Sequence, residues 1–217
     1  MASRIHVVRH GEVHNPDGVL YGRLPDFHLS ERGTRTAALA AEELLRSVQT
    51  DGRPIVRVLS SPLERAQESA APIAAALGLP IELREGLIEA SSKLEGGQFS
   101  MSLSILAKPR AWRYLVNPFA PSWGEPFRDV AERMQRELND AFDVPESGDV
   151  VMVSHQLPIW MSHRVATGKP LFHDPRKRRC ALSSITSFER SGDRLIEIDY
   201  RDVVANAGEV TRDVGAV

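Results

Sequence analysis

The chain has 217 residues, 42% hydrophobic and 26% charged, a balance that supports a buried core. Its net charge of −2 argues against a nucleic-acid binder and against attachment to anionic membranes, since both need a basic surface. The single cysteine, Cys180, excludes an internal disulfide and suggests a reducing cytoplasm, and neither a signal-peptide core in MASRIHVVRHGE nor an apolar membrane span is present.

In chain order, residues 4–9 (RIHVVR) form the first predicted strand, a β-branched run that stops at Arg9, His10 and Gly11. A loop rich in Gly, Pro and Asp continues to about Leu29, and Ser30 is the predicted N-cap of a helix reaching about Val48. Residues 55–60 (IVRVLS) form a second strand, closed by Ser60, Ser61 and Pro62. Ala66, Ala70, Ile73, Ala74 and Leu77 follow helical spacing, with Gly78 just past the helix end. Residues 80–84 predict a short strand. Residues 90–124, with Gly96, Gly97, Pro109, Pro118, Pro121, Trp112 and Trp123, read as an excursion of short helices and loops.

Val130, Met134, Leu138 and Phe142 mark a helix from about Glu125. Residues 149–154 (DVVMVS) form a strongly apolar strand that ends at Ser154 and His155, and a helix follows from about Leu157 to Ala166. Two further strands near 182–189 and 194–200 pair through Ser191, Gly192 and Asp193, and the tail after about 205 is expected to fray. Strands alternating with helices predict an α/β fold with a mostly parallel sheet covered on both faces. Residues 1–217 read as a single domain, with the 90–124 excursion inserted over one face.

Ligands of open α/β sheets bind beyond the carboxyl ends of the strands. Three predicted strands end in Arg9-His10-Gly11, in Ser60-Ser61-Pro62 leading to Arg65, and in Ser154-His155. As parallel neighbours they would gather two imidazoles and two guanidinium groups on one rim. That set suits a phosphoryl group: arginine forks match its oxygens, and a neutral histidine can attack phosphorus.

VVRHGE, SSPLERAQESA, GLIEASSKLEG and VMVSHQ, in this order over roughly residues 4–160, resemble the histidine phosphatase superfamily in its phosphoglycerate-mutase-like branch. The resemblance implies a three-layer α/β/α sandwich. It implies that His10 takes the phosphoryl group as phosphohistidine, that Arg9 and Arg65 hold its oxygens, and that His155 stabilises the oxygens in transfer. Glu89 would protonate the leaving oxygen, with Glu85 and Glu95 as its rivals. Asn15 resembles the family's phosphate-contacting asparagine. Glu12 is expected to order the loop. The resemblance implies no metal and no cofactor, because the positive charge is built into the chain.

The implied function is hydrolysis of a small phosphorylated metabolite. A phosphoglycerate mutase using the same phosphohistidine is the alternative, disfavoured because such mutases are typically longer. A weak phospho-ligand-binding module is the third reading. His6, His14, His28, His163 and His173 are expected to pack or face solvent, and the basic run Arg176-Lys177-Arg178-Arg179 to form a solvated face. Cys180 is expected in the core. No pattern predicts an oligomer, so the oligomeric state stays open.

Overall fold

The computed structural model describes residues 2–97, 124–192, 194–208 and 213. Trp112, Tyr114, Trp123 and most of the predicted excursion lie outside them. Six strands form one sheet: β1 (Ala2–Arg9), β2 (Ile55–Ser60), β3 (Ile81–Leu83), β4 (Gly148–Ser154), β5 (Ile185–Ser191) and β6 (Arg194–Arg201). Their order is β3-β2-β4-β1-β5-β6. The first four run parallel, and the β5–β6 hairpin joins antiparallel to β1.

The helices are α1 (Glu31–Asp51), α2 (Glu64–Leu77), α3 (Phe127–Phe142), α4 (Gln156–Ala166) and the short α5 (Val203–Asn206). Strand alternation divides the core into two layers. Val8, Val58, Val151 and Val153 pack with Ala40, Leu44, Ala70 and Ile73 of α1 and α2. Val7, Leu59, Val150 and Met152 face Met134, Leu138 and Phe142 of α3, and Ile159 of α4. β4 is buried along its whole length, as a strand covered on both faces must be. The expected three-layer α/β/α arrangement with a mostly parallel sheet is therefore present.

The register sets the site. Arg9 pairs with Ser154, and Ser60 pairs with Val153, so β1, β2 and β4 end flush. Backbone bonds continue the alignment one residue further, from His10 N to Ser154 O at 3.1 Å and from Ser61 N to Val153 O at 2.9 Å.

Several boundaries differ from the expected ones by a few residues, and two of the differences have clear local causes. α1 runs three residues past Val48 because Gly52, with φ of 69°, supplies the left-handed stop. The strand expected from residue 182 starts at Ile185, because Ser183 turns the chain with φ of 58° and its N–H bonds to His10 O at 3.3 Å.

The start of α1 is pressed against the loop leaving β1. Ser30 caps the helix by accepting from Gly33 N at 3.0 Å, and its hydroxyl donates to Glu12 Oε1 at 2.8 Å. Glu12 thus orders the loop, as expected. A Cβ on Gly33 would lie 2.0 Å from Glu12 O, and a Cβ on Gly11 would lie 2.5 Å from Gly33 O.

Two effects oppose each other in Gly33→Ala. Helix propensity favours alanine by about 1 kcal/mol. The clash is with backbone that no side-chain rotamer can relieve, and overpacking of this kind costs about 1–3 kcal/mol. The clash wins, so Gly33→Ala lowers the denaturant midpoint at unchanged slope.

Candidate active site

His10 and His155 leave the ends of β1 and β4 fully buried, with ring centroids 5.1 Å apart. His10 Nδ1 donates to Gly11 O at 2.8 Å, which assigns the lone pair to Nε2. Ser61 Oγ lies 2.7 Å from His155 Nε2 and accepts from Leu63 N at 3.4 Å; in the tautomer where the hydroxyl donates to the ring, Nε2 is the accepting nitrogen. His155 Nδ1 then carries the ring hydrogen; it is buried without a partner.

Arg65, in the first turn of α2, is wholly buried. Its Nη2 donates to Gly22 O at 2.5 Å, while Nε and Nη1 are unpartnered. Its guanidinium lies 4.7 Å from the Tyr21 ring centroid, and Tyr21 in turn meets His10 edge-on at 6.3 Å. Arg9 is also wholly buried and its Nε has no partner.

Four buried donors therefore stand unpartnered around two imidazoles: Arg9 Nε, Arg65 Nε, Arg65 Nη1 and His155 Nδ1. Leaving buried N–H groups unmatched costs free energy, so such a cluster is built for a guest that accepts hydrogen bonds.

The electrostatics agree. Burial, then the Arg65 charge, push the pKa of both His10 and His155 well below the usual histidine value. Burial also lowers Arg65. For Arg9 burial is outweighed by the Asp213 carboxylate, and its pKa stays above the ordinary arginine value. Neutral rings beside two buried guanidinium groups offer hydrogen-bond donors and local positive charge to an anion, with the carboxylates of Asp213 and Glu89 balancing the arginines in part.

Residues 5–202 match the histidine phosphatase superfamily, branch 1. The chain belongs to this superfamily. It is 49% identical over 203 residues to the uncharacterized protein Rv0525 of Mycobacterium tuberculosis, covering 94% of this chain and 98% of that one. It is 26% identical over 189 residues to a probable phosphoglycerate mutase of Cronobacter sakazakii, covering 84% of each. A phosphoserine phosphatase of Entamoeba histolytica, solved with 3-phosphoglyceric acid, shares the fold at a TM-score of 0.72 and 21% identity, covering 93% of this chain and 98% of that one.

Within this histidine phosphatase fold, Glu89 is buried and accepts from Ala90 N at 2.8 Å, and its charge is felt at Arg65. Glu85 is exposed at the start of a 3-10 turn, and Glu95 accepts from Ser92 N at 2.9 Å. Asn15 is a loop brace: its amide donates to Val19 O at 2.9 Å and accepts from Val19 N at 3.0 Å. The loop turns there, with Gly18 N donating to the Asn15 carbonyl at 3.3 Å.

Gly11 lies against the start of α1. Its crowded neighbour is Gly33, and its N–H goes to Ser69 Oγ at 3.0 Å.

The basic run is not one solvated face. Arg176 and Lys177 are exposed. Arg178 turns inward, donating to Gln156 Oε1 at 3.0 Å and His173 Nε2 at 2.9 Å, with its pKa pushed down to about 10 by burial. Arg179 pairs with Glu197 and covers Tyr200.

Of the histidines expected to pack or face solvent, His14 is exposed, and the others have side-chain partners. His6 bonds Ser187 Oγ at 2.8 Å, and His163 bonds Glu197 and stacks on Trp160. His28 pairs with Glu68 at the surface. Cys180 is buried, its thiol pushed up to about 11 by burial, as a core residue would be.

Tyr21, Ser61 and Ser69 were missed by the sequence reading. Ser69 had a usable signal, since it lies one helical turn beyond Arg65 and bonds its carbonyl at 2.7 Å. Tyr21 sits in an irregular loop with no period to mark it.

A depressed histidine stabilises the fold above the unfolded-state pKa of about 6.5, and that stability is lost as pH falls below it. His10 and His155 each then weaken folding by up to about 1.4 kcal/mol per pH unit on acidification. Unfolding free energies measured between pH 7 and 5 should show a shallower acid loss in His155→Gln than in wild type.

Proposed function

We propose that the protein is a metal-independent phosphomonoester hydrolase that acts through a phosphohistidine on a small phosphorylated metabolite. The observation that carries this reading is the set of four unpartnered buried donors beside the free His10 Nε2. A tetrahedral anion offers three peripheral oxygens to those donors and presents its phosphorus to the ring.

In the first step the His10 Nε2 lone pair bonds to phosphorus as the ester P–O bond breaks. Arg9, Arg65 and His155 hold the peripheral oxygens, where charge develops. The protonated Glu89 carboxyl gives its hydrogen to the departing alkoxide. In the second step water attacks phosphorus and loses a proton to Glu89, the P–N bond breaks, and inorganic phosphate leaves. Asn15 is left out of the phosphate set because its amide braces the loop. A cytoplasmic setting belongs to the same proposal; its support is the count of one cysteine.

The Cronobacter relative named a probable phosphoglycerate mutase motivates one alternative, return of the phosphoryl group to an organic acceptor rather than water. A single pair of assays separates them. Phosphate release from p-nitrophenyl phosphate is expected, unchanged by EDTA and lost by about 1,000-fold or more in His10→Ala, as for removal of a covalent nucleophile. Interconversion of phosphoglycerates primed by 2,3-bisphosphoglycerate, with negligible phosphate release, would replace hydrolysis by transfer.

Because His10 stays neutral in acid, the acid limb of the kcat/KM profile should lie below pH 6.5. An acid limb at or above that value would contradict His10 as the nucleophile.

A further inference from the structure

Of the tail expected to fray, residues 209–212 and 214–217 lie outside the described residues; Asp213 is described and sets its carboxylate against the end of the Arg9 guanidinium. Oδ2 lies 2.7 Å from Nη1, and Oδ1 lies 2.8 Å from Nη2. Cys180 O accepts from Nη1 at 2.6 Å. Gln156, the first residue of α4, donates from Nε2 to Asp213 Oδ2 at 3.3 Å. The carboxylate is therefore tied both to the end of β1 and to the helix that His155 begins.

A guanidinium has five N–H donors in one plane. Asp213 and Cys180 together use both hydrogens of Nη1 and one of Nη2. The Nε hydrogen and the second Nη2 hydrogen remain, parallel to each other along the side edge. That edge is itself a two-pronged fork suited to two oxygens of a tetrahedral anion, and its Nε is buried and unpartnered. Asp213 and a phosphoryl group thus address different edges of one arginine.

We propose that Asp213 is a positioning residue: its carboxylate, clamped to the end of Arg9, turns the side edge toward the phosphoryl group, so the anion site is complete only with Asp213 in place. This rests on the phosphate-binding reading of the site. A negative group so close could instead repel or compete with the substrate, and geometry decides between the two. The Asp213 side chain is 37% exposed, so water screens its repulsion. Arg9 is 0% exposed, and a planar fork rotated out of line inside a buried site loses both its bonds to the anion.

The test compares the full chain with Asp213→Ala and Asp213→Asn. Calorimetric titration with inorganic phosphate and steady-state kinetics on p-nitrophenyl phosphate are run beside thermal melting. The clamp predicts that Asp213→Ala weakens phosphate binding about tenfold, as expected when an oriented charge-assisted contact is lost, and lowers kcat/KM at least as much. Asp213→Asn, which keeps one accepting oxygen, should fall between, and Asp213→Ala should melt somewhat lower than wild type, because buried Arg9 loses its carboxylate, while staying folded at the assay temperature.

Tighter phosphate binding in Asp213→Ala would make the carboxylate a competitor and overturn the proposal. Unchanged binding would overturn it too, as would losses that track a collapsed melting temperature in both variants. A wild type that binds phosphate but hydrolyses nothing would sink the hydrolase reading alone, with the affinity comparison still deciding the role of Asp213. A wild type that binds no phosphate would overturn both.

Discussion

Two buried guanidinium groups of like charge, Arg9 and Arg65, beside two imidazoles held neutral, are the constraint around which the rest is arranged. Burying such cations is costly unless their donors are matched. Each is matched in part by the chain: Arg9 by Asp213 and the Cys180 carbonyl, Arg65 by the Gly22 carbonyl and the Tyr21 face. The donors left over all belong to one cluster. The folded state therefore stores an unmet demand for an anionic, oxygen-rich ligand, and that demand is what the site can use for binding and for charge stabilisation during transfer.

The fold supplies the rigidity this requires. The functional groups leave strand ends or first helical turns, and β1, β2 and β4 end in register. Ser69 joins the first turn of α2 to the loop after β1 by bonding both the Arg65 carbonyl and the Gly11 amide. Gly11 and Gly33 let that loop lie against α1 at a spacing no side chain would permit. The strain-free way to hold a buried fork is to surround it with backbone acceptors, and the carbonyls of Gly22 and Cys180 serve in that role.

Much of this was legible in the sequence. Apolar runs at 4–9, 55–60 and 149–154 with helical periods between them carry the parallel sheet, because period and burial are local signals. Arg9, His10 and His155 stand at the ends of the first and third of those runs and Arg65 in the first turn of the helix after the second, so their positions were legible, while their roles came from the resemblance of the motifs. Asn15 is of a type that suits both a phosphate contact and a tight turn, and only the folded loop shows Val19 as a partner. Arg178 was read with its charged neighbours, although single residues of such a run can turn inward on a 3-10 turn. Asp213 was beyond reach, since its contact with Arg9 spans almost the whole chain and leaves no local pattern.

The central claim is that these groups enclose one tetrahedral anion. The most direct measurement is a crystal structure of the full chain grown with orthovanadate. The account predicts vanadium facing His10 Nε2, with its oxygens within hydrogen-bond distance of Arg9 Nε, Arg65 Nε and Nη1, and His155 Nδ1. Vanadate bound elsewhere, or held without Arg9 and Arg65, would contradict it.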